Sequence, residues 1–395
     1  MFDERVPLAN PSVADPESVG ADVTKILASG MLTNGSYVRR LEQEAAEYLG
    51  VRNCVAVSSC TAGLMLIMRA SELSGDVVVP SFTFAATAHA VQWNGLRPVF
   101  AEVSPESLTL SADSARAACG VRTSAILATH LYGNPCDIEG LTEVARSNGI
   151  RLFFDAAHAF GSIHNGDHAG NFGDAEVFSL SPTKVLVAAE GGIIATNDDM
   201  LAERCRIGRD YGNPGDYNCL FVGLNARMSE LHAAVALNSL SDLEDRILER
   251  NDLASLYRHQ LEPVRGISFP VIAPGDRSTY KDLTIQIDES EYGLDADGLA
   301  DALRAEGVES RRYYSPPVHA MKAYRTMAST NGRLASTEAI SRGVLSIPLW
   351  TGMGAERVRL ISHSISRIGT FVRLARSQRE ASARRLVTAA IPTIS

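Results

Sequence analysis

Lys184, Asp155 and Ser179 are the residues whose types and spacing could act together chemically. Lys184 stands five positions after Ser179 and 29 after Asp155, within Ala175-Glu-Val-Phe-Ser-Leu-Ser-Pro-Thr-Lys-Val-Leu-Val-Ala-Ala-Glu-Gly-Gly192. Asp155 closes the apolar run Leu152-Phe-Phe-Asp155. An amine, a carboxylate and a hydroxyl on separate strand ends suffice to hold pyridoxal phosphate. The lysine forms a Schiff base, the carboxylate pairs with the pyridinium nitrogen, and the serine helps bind the phosphate. Alone, Lys184 would be an ordinary loop lysine; the set is what points to chemistry.

Those three side chains need a scaffold that brings strand ends together. From about residue 54 to 197, short apolar runs such as Val77–Val79, Ala125–Thr129, Leu152–Phe154 and Ile193–Thr196 alternate with amphipathic stretches such as Thr61–Leu73 and Asp137–Asn148. Runs without strict polar alternation are expected for strands covered on both faces. Repeated strand-helix order implies an α/β fold with a mostly parallel central sheet, and ligands in such sheets sit at the carboxyl ends of strands, where Asp155 and Ser179 fall. Ser58-Ser-Cys-Thr-Ala-Gly63 opens the helix after the first run, a place where backbone N–H groups can hold phosphate. Phe84, after the run ending at Val79, is an aromatic able to stack on a flat ring.

A long helix over Leu231–Tyr257 is expected to bridge to a smaller C-terminal α+β domain. There Thr279–Ile287 reads as a strand, Ala296–Glu306 as a helix, Val344–Leu349 as a strand and Ala355–Arg385 as a helix with a basic end. Thr388–Ser395 reads as a frayed tail. The domains are read as 12–250 and 251–395, joined by the N-terminal segment 1–11.

Composition narrows the function classes. The chain has 395 residues, 45% of them hydrophobic and 21% charged, as in an ordinary globular protein. A net charge of −9 argues against nucleic acid or an anionic membrane as partner. The N-terminus lacks a basic start followed by an apolar core, and no uncharged apolar run reaches the roughly 20 residues a membrane span requires, so the expected location is the cytoplasm. The six cysteines (54, 60, 119, 136, 205 and 219) are scattered and read as free thiols, with none in the C-terminal third for an iron-sulfur centre. His158, His164 and His168 are spaced by glycine turns without an acidic or cysteine partner, so no metal is expected.

Taken in order, Ser58–Gly63, Pro80-Ser-Phe-Thr-Phe-Ala-Ala-Thr87, His130-Leu-Tyr-Gly133, Asp155-Ala-Ala-His-Ala-Phe-Gly161, Phe178-Ser-Leu-Ser-Pro-Thr-Lys184, Glu190-Gly-Gly192 and Gly223-Leu-Asn-Ala-Arg-Met228 resemble the DegT/DnrJ/EryC1/StrS family of sugar aminotransferases. The likeness runs from about Gly30 to Leu240 and more faintly to about residue 375. It implies the aspartate-aminotransferase-like fold type I and pyridoxal 5′-phosphate, with pyridoxamine 5′-phosphate as its aminated form. It also implies roles for matched positions. Lys184 is similar to the Schiff-base lysine that also moves the proton, and Asp155 to the carboxylate that keeps the pyridine nitrogen protonated. Thr61, Ala62 and Ser179 match phosphate contacts, Phe84 the ring-stacking position, and His158 a Gln or His beside the ring. Asn225 matches an asparagine that reaches the neighbouring subunit's phosphate, which makes a homodimer with shared active sites. Tyr313, Tyr314 and His319 lie where family members meet substrate.

Three positions depart from the family pattern. Cys60 stands where Gly or Ala is common, Val185 where Asn is frequent, and Tyr211-Gly212 where His-Gly is usual. The resemblance implies amino transfer from L-glutamate to a nucleotide-linked keto-sugar, with a dTDP- or UDP-linked 4-keto-6-deoxyhexose as first expectation, by a ping-pong course. A dehydratase on the same fold and a non-catalytic sensor are the alternatives. Known dehydratases of this kind replace the lysine by histidine or carry an iron-sulfur centre, and sensors usually lose the lysine or the aspartate. Lys184 and Asp155 are both present.

Overall fold

The apolar runs form the strands of one large sheet in the computed structural model, which describes residues 4–326, 329–330 and 334–389. In chain order the strands are β1 (Asn53–Val57), β2 (Asp76–Pro80), β3 (Arg97–Ala101), β4 (Thr123–Thr129), β5 (Arg151–Asp155), the short hairpin β6 (Ile163–His164) and β7 (Asp167–His168), β8 (Ala175–Ser179) and β9 (Gly192–Thr196). Then follow β10 (Ile267–Ser268), β11 (Leu283–Ile287), β12 (Ser329–Thr330) and β13 (Val344–Ile347). The large sheet has the order β1-β9-β8-β5-β4-β2-β3-β12. Neighbours from β8 through β12 pair in parallel, whereas β9 runs antiparallel to β1 and β8. This is the mostly parallel α/β sheet expected from the alternating runs.

Register places the site. β4 sets Thr129 beside Asp155 at the carboxyl end of β5, and β5 sets Asp155 beside Val177 on β8. The helix Cys60–Ala70 starts at the same edge, with the Ser59 hydroxyl accepting the Ala62 N–H at 3.1 Å. Gly63 lets that helix approach the sheet: a Cβ there would lie 2.6 Å from a Val177 methyl, so a larger residue would push the helix start off the strand ends.

The bridging segment differs from the single helix expected over Leu231–Tyr257. It is two helices, Glu230–Leu240 and Leu243–Leu261. Ser241 returns its hydroxyl to the Asn238 carbonyl at 2.8 Å, and Asp242 leaves the helical backbone with φ −118° and ψ 13°. The second helix buries Leu243 and Ile247 in the core beside the large sheet, then Leu253, Ala254, Tyr257 and Leu261 in a second core around β11 and β13. The expected boundary at 250/251 thus falls inside a helix. Val6 of the N-terminal segment joins the second core, and β12 returns to the large sheet beside β3.

β11 is shorter than the strand expected over Thr279–Ile287. Arg250 takes the carbonyls of Thr279, Tyr280 and Lys281 into guanidinium hydrogen bonds, which removes them from any ladder. The helices expected over Ala296–Glu306 and Ala355–Arg385 appear as Ala296–Ala305 and Ala355–Ala389. Thr388 and Ala389, expected in a frayed tail, close the latter helix, and the rest of that tail lies outside the described residues. Among the described residues no helix is long and apolar enough to cross a membrane.

Candidate active site

Asp155 ends β5 with only 4% of its surface exposed. One carboxylate oxygen accepts the Ala157 N–H at 3.1 Å and the other the Thr87 hydroxyl at 2.7 Å. No described cation stands within ion-pairing distance of it. Burial therefore raises its proton affinity above the ordinary carboxylate range, although the Thr87 and Ala157 bonds pull the other way. A buried carboxylate with hydrogen bonds but no counter-ion is a group arranged for a cation supplied from outside the chain. The Cys60 sulfur lies 3.9 Å from Asp155 Oδ1 and 3.5 Å from the Val177 carbonyl, and burial pushes its thiol well above its ordinary value, so it faces the carboxylate as a neutral S–H.

Lys184 sits on the loop between β8 and β9, its N–H bonded to the Ser181 carbonyl at 3.0 Å. As a whole residue it keeps some solvent contact, but its amine is withdrawn from water. That desolvation, followed by the positive charge of Lys281, brings the ammonium down to about 8. An amine in that range is partly neutral near physiological pH, as a nucleophile must be.

His158 is buried, and its Nδ1 accepts the Tyr132 N–H at 3.1 Å, which leaves the proton on Nε2. Burial, with Lys184 and Lys281 nearby, holds it well below the ordinary histidine value, so the ring is neutral. Phe84 is 60% exposed just ahead of the helix Ala85–Trp93, its ring 6.1 Å from that of Tyr314.

One cavity of about 200 Å³ collects these groups. Asp155, His158, Ser179, Lys184, Phe84 and Thr61 all line it, which unites six residues spread over more than 120 positions of sequence. Pyridoxal phosphate suits this set: a buried carboxylate lacking a cation, a desolvated amine, a neutral flat ring and hydroxyls at a helix start are complementary to a pyridinium, an aldehyde, an aromatic face and a phosphate. Ala62 lies just behind the wall, its N–H already held by Ser59.

The remaining expected residues lie elsewhere. Tyr314 packs between Phe82 and Phe84, and the Tyr313 ring lies tilted against Tyr314 with the Lys281 ammonium 5.6 Å from its ring centre. The Tyr132 hydroxyl donates to the Tyr313 carbonyl. His319 is engaged away from the cavity, with Nδ1 2.6 Å from the Ser81 hydroxyl and Nε2 facing Glu338. Asn225 is exposed and outside the cavity of its own chain, bridged to Asp210 on a loop that also exposes Tyr211, Tyr217, Leu220 and Val222. It does not cap the following helix: Ser229 does, accepting the Leu231 N–H at 3.1 Å. His164 sits between Glu139 and Asp276, far in role from His158, and among the described residues no cluster of three potential ligands is arranged for a metal ion.

Sequence reasoning passed over Thr83, Thr87, Thr129 and Glu190 in the site, and Lys281 behind it. Thr87 had a signal only as the end of the Pro80–Thr87 stretch; it lies buried behind the cavity wall, where its hydroxyl reaches Asp155. Lys281 had none, because it lies 97 positions beyond Lys184 in a stretch that reads as a strand.

A sequence model of the DegT/DnrJ/EryC1/StrS aminotransferase family matches residues 15–366. The chain is 32% identical over 338 residues to GDP-perosamine synthase of Vibrio cholerae, covering 84% of this chain and 91% of that one. It is 30% identical to dTDP-4-amino-4,6-dideoxy-D-glucose transaminase of Escherichia coli, covering 91% and 97%. Among solved structures, DesI in the presence of its TDP-sugar product superposes with a TM-score of 0.90 at 36% identity, covering 96% of both chains.

Proposed function

The chain belongs to the DegT/DnrJ/EryC1/StrS aminotransferase family, and from that premise we propose that it transfers an amino group from L-glutamate to a nucleotide-linked keto-sugar, using pyridoxal phosphate. A dTDP-linked 4-keto-6-deoxyhexose is the substrate this reading favours, in keeping with the named products of the Escherichia coli relative and of DesI. The observation that carries the reading is the convergence on one cavity of a desolvated amine, Lys184, and an unpaired buried carboxylate, Asp155.

When bound, pyridoxal phosphate supplies an electrophilic carbon and a ring that accepts electrons from the substrate. Asp155 would keep the ring nitrogen protonated, and its hydrogen bonds from Thr87 and Ala157 fix the carboxylate for that task. Thr61, Ser179 and the start of the helix Cys60–Ala70 would bind the phosphate, and neutral His158 and Phe84 would hold the ring. Lys184 Nζ would hold the group through its amine, and it is the base that would take a proton from the amino-bearing carbon of the substrate and return it. The keto acid leaves before the sugar enters, so a single cavity serves both substrates in turn. Asn225 completes the phosphate site of a second copy of the chain, consistent with its exposure on an apolar loop, so the working unit is a homodimer in the cytoplasm.

The test is an absorption spectrum of the purified protein before and after L-glutamate, then after the dTDP-keto-sugar. A cofactor band that shifts with glutamate and is restored by the sugar is expected. A protein without such a band, or one that ignores glutamate, would reject transamination in favour of a sensor.

A further inference from the structure

Behind Lys184, on the side away from the main cavity, lies a second polar cavity of about 20 Å³, room for a single water. Lys184 lines both. Lys281, Arg246 and Arg250 line the second one with Asn10 and Ser12 of the N-terminal segment. Resting on the reading of Lys184 as the reacting amine, we propose that the buried Lys281, held in place and partly offset by Asp282, is a positioning residue that keeps this amine neutral and reactive across the shared cavity.

The pair is built to stay in place. Lys281 and Asp282 are 9% and 7% exposed, with Nζ 2.8 Å from Oδ1. The Lys281 N–H donates to the Tyr132 carbonyl at 2.9 Å, and Arg250 holds the Lys281 carbonyl at 2.9 Å. Thr279 donates its hydroxyl to the His158 carbonyl at 2.6 Å, which ties the same segment to the back of the active site. Asp282 Oδ2 is buried without a hydrogen-bond partner, so the carboxylate offsets the lysine charge only in part.

Among the described residues, the charged groups around Lys184 each have a place in this balance. From the end of β5 comes Asp155, while the Cys60 thiol at the helix start and His158 are neutral. From the helix Leu243–Leu261 come Arg246, committed to Asp242 and the Ser12 carbonyl, and Arg250, committed to carbonyls 279–281. Glu190 lines the main cavity on the loop's far end. Burial is the largest influence holding the Lys184 ammonium down and Lys281 the next, while Asp282 and Asp155 favour its charged form.

The experiment is competitive labelling of the ligand-free full chain with acetic anhydride across pH, reading the Lys184 peptide by mass spectrometry. Lys281→Met should move the labelling midpoint of Lys184 up by about one pH unit, the size a neighbouring charge commonly produces. Lys281→Arg, which keeps the charge, should leave it near the wild-type position, and Asp282→Asn should move it down. An unmoved midpoint in Lys281→Met, an equal rise in Lys281→Arg, or a rise in Asp282→Asn would each overturn the proposal. The midpoint is read without cofactor or turnover. Borohydride labelling of a different lysine would therefore remove the catalytic role of Lys184 while leaving this measurement intact.

Discussion

Replacing Asp155 by asparagine deletes one buried charge while keeping the shape of the side chain, and its consequences separate function from stability. In the native chain the carboxylate accepts two hydrogen bonds, from Ala157 and Thr87, each a bond to a charged group and worth about 1.5–3 kcal/mol. Against them stands the cost of an ion withdrawn from water, several kcal/mol in effect. The raised proton affinity shows that the cost wins in the ligand-free chain. Asparagine has one acceptor oxygen, so one of these bonds, about 1.5–3 kcal/mol, is lost, and the Thr87 hydroxyl can turn to Thr83 at 3.0 Å. The net expectation is a ligand-free variant more stable than the wild type near neutral pH, read as a raised Tm.

The sign with pH follows by linkage. A carboxyl whose folded proton affinity is raised binds more protons when folded, so wild-type stability falls as pH rises from its ordinary 3.8 through the folded value. The advantage of Asp155→Asn should therefore be full above that window and vanish below it. Activity should move the opposite way. If the carboxylate stabilises a protonated ring by a few kcal/mol, glutamate turnover should fall by about 10²–10³-fold, since each 1.4 kcal/mol is tenfold. Thermal scans from pH 3 to 8 and stopped-flow mixing with glutamate measure both. A rate within about twofold of wild type would refute the ring-nitrogen role, and a Tm lowered at neutral pH would refute the burial balance.

Lys184→Ala should abolish transamination while leaving the thermal midpoint within a few degrees, because the desolvated amine holds no ion pair among the described residues, and borohydride reduction of the wild type should label Lys184 in peptide maps. Mixing Lys184→Ala with Asn225→Ala subunits should restore about half the activity of a wild-type dimer, because one of the two shared sites then carries neither lesion. No recovery, or full activity of a monomer in sedimentation, would place Asn225 outside a neighbour's site. Glu230, 1% exposed, accepts the N–H groups of Gly35, Tyr37 and Val38 at 2.8–2.9 Å and so caps the helix Ser36–Leu49 from a distance. Glu230→Ala should cost about 2–4 kcal/mol by stranding three donors, with hydrogen exchange rising first at the start of that helix, and Glu230→Gln should cost less.

The sequence by itself determined the parallel sheet, because runs such as Leu152–Phe154 and Val77–Val79 are too apolar to face water on either side. It also determined the main cavity's principal members, since Asp155 and Ser179 end two such runs and Lys184 follows directly: strand ends in a parallel sheet share one edge, so local pattern carries over into spatial proximity. Helix ends were legible where a serine or glycine marks them, as at Ser59.

Tertiary structure alone decided what each group's surroundings do to it. Nothing local in Tyr280-Lys-Asp282 announces that Arg250, some thirty residues earlier, takes the carbonyls of this segment, shortens β11 and brings a charge behind Lys184. Nor does the sequence around Asn225 say that Ser229 does the capping and leaves the asparagine exposed for another partner. Electrostatic influence and side-chain bonding depend on distance through space, which a run of residues encodes only when both partners belong to elements whose order in the sheet is already fixed.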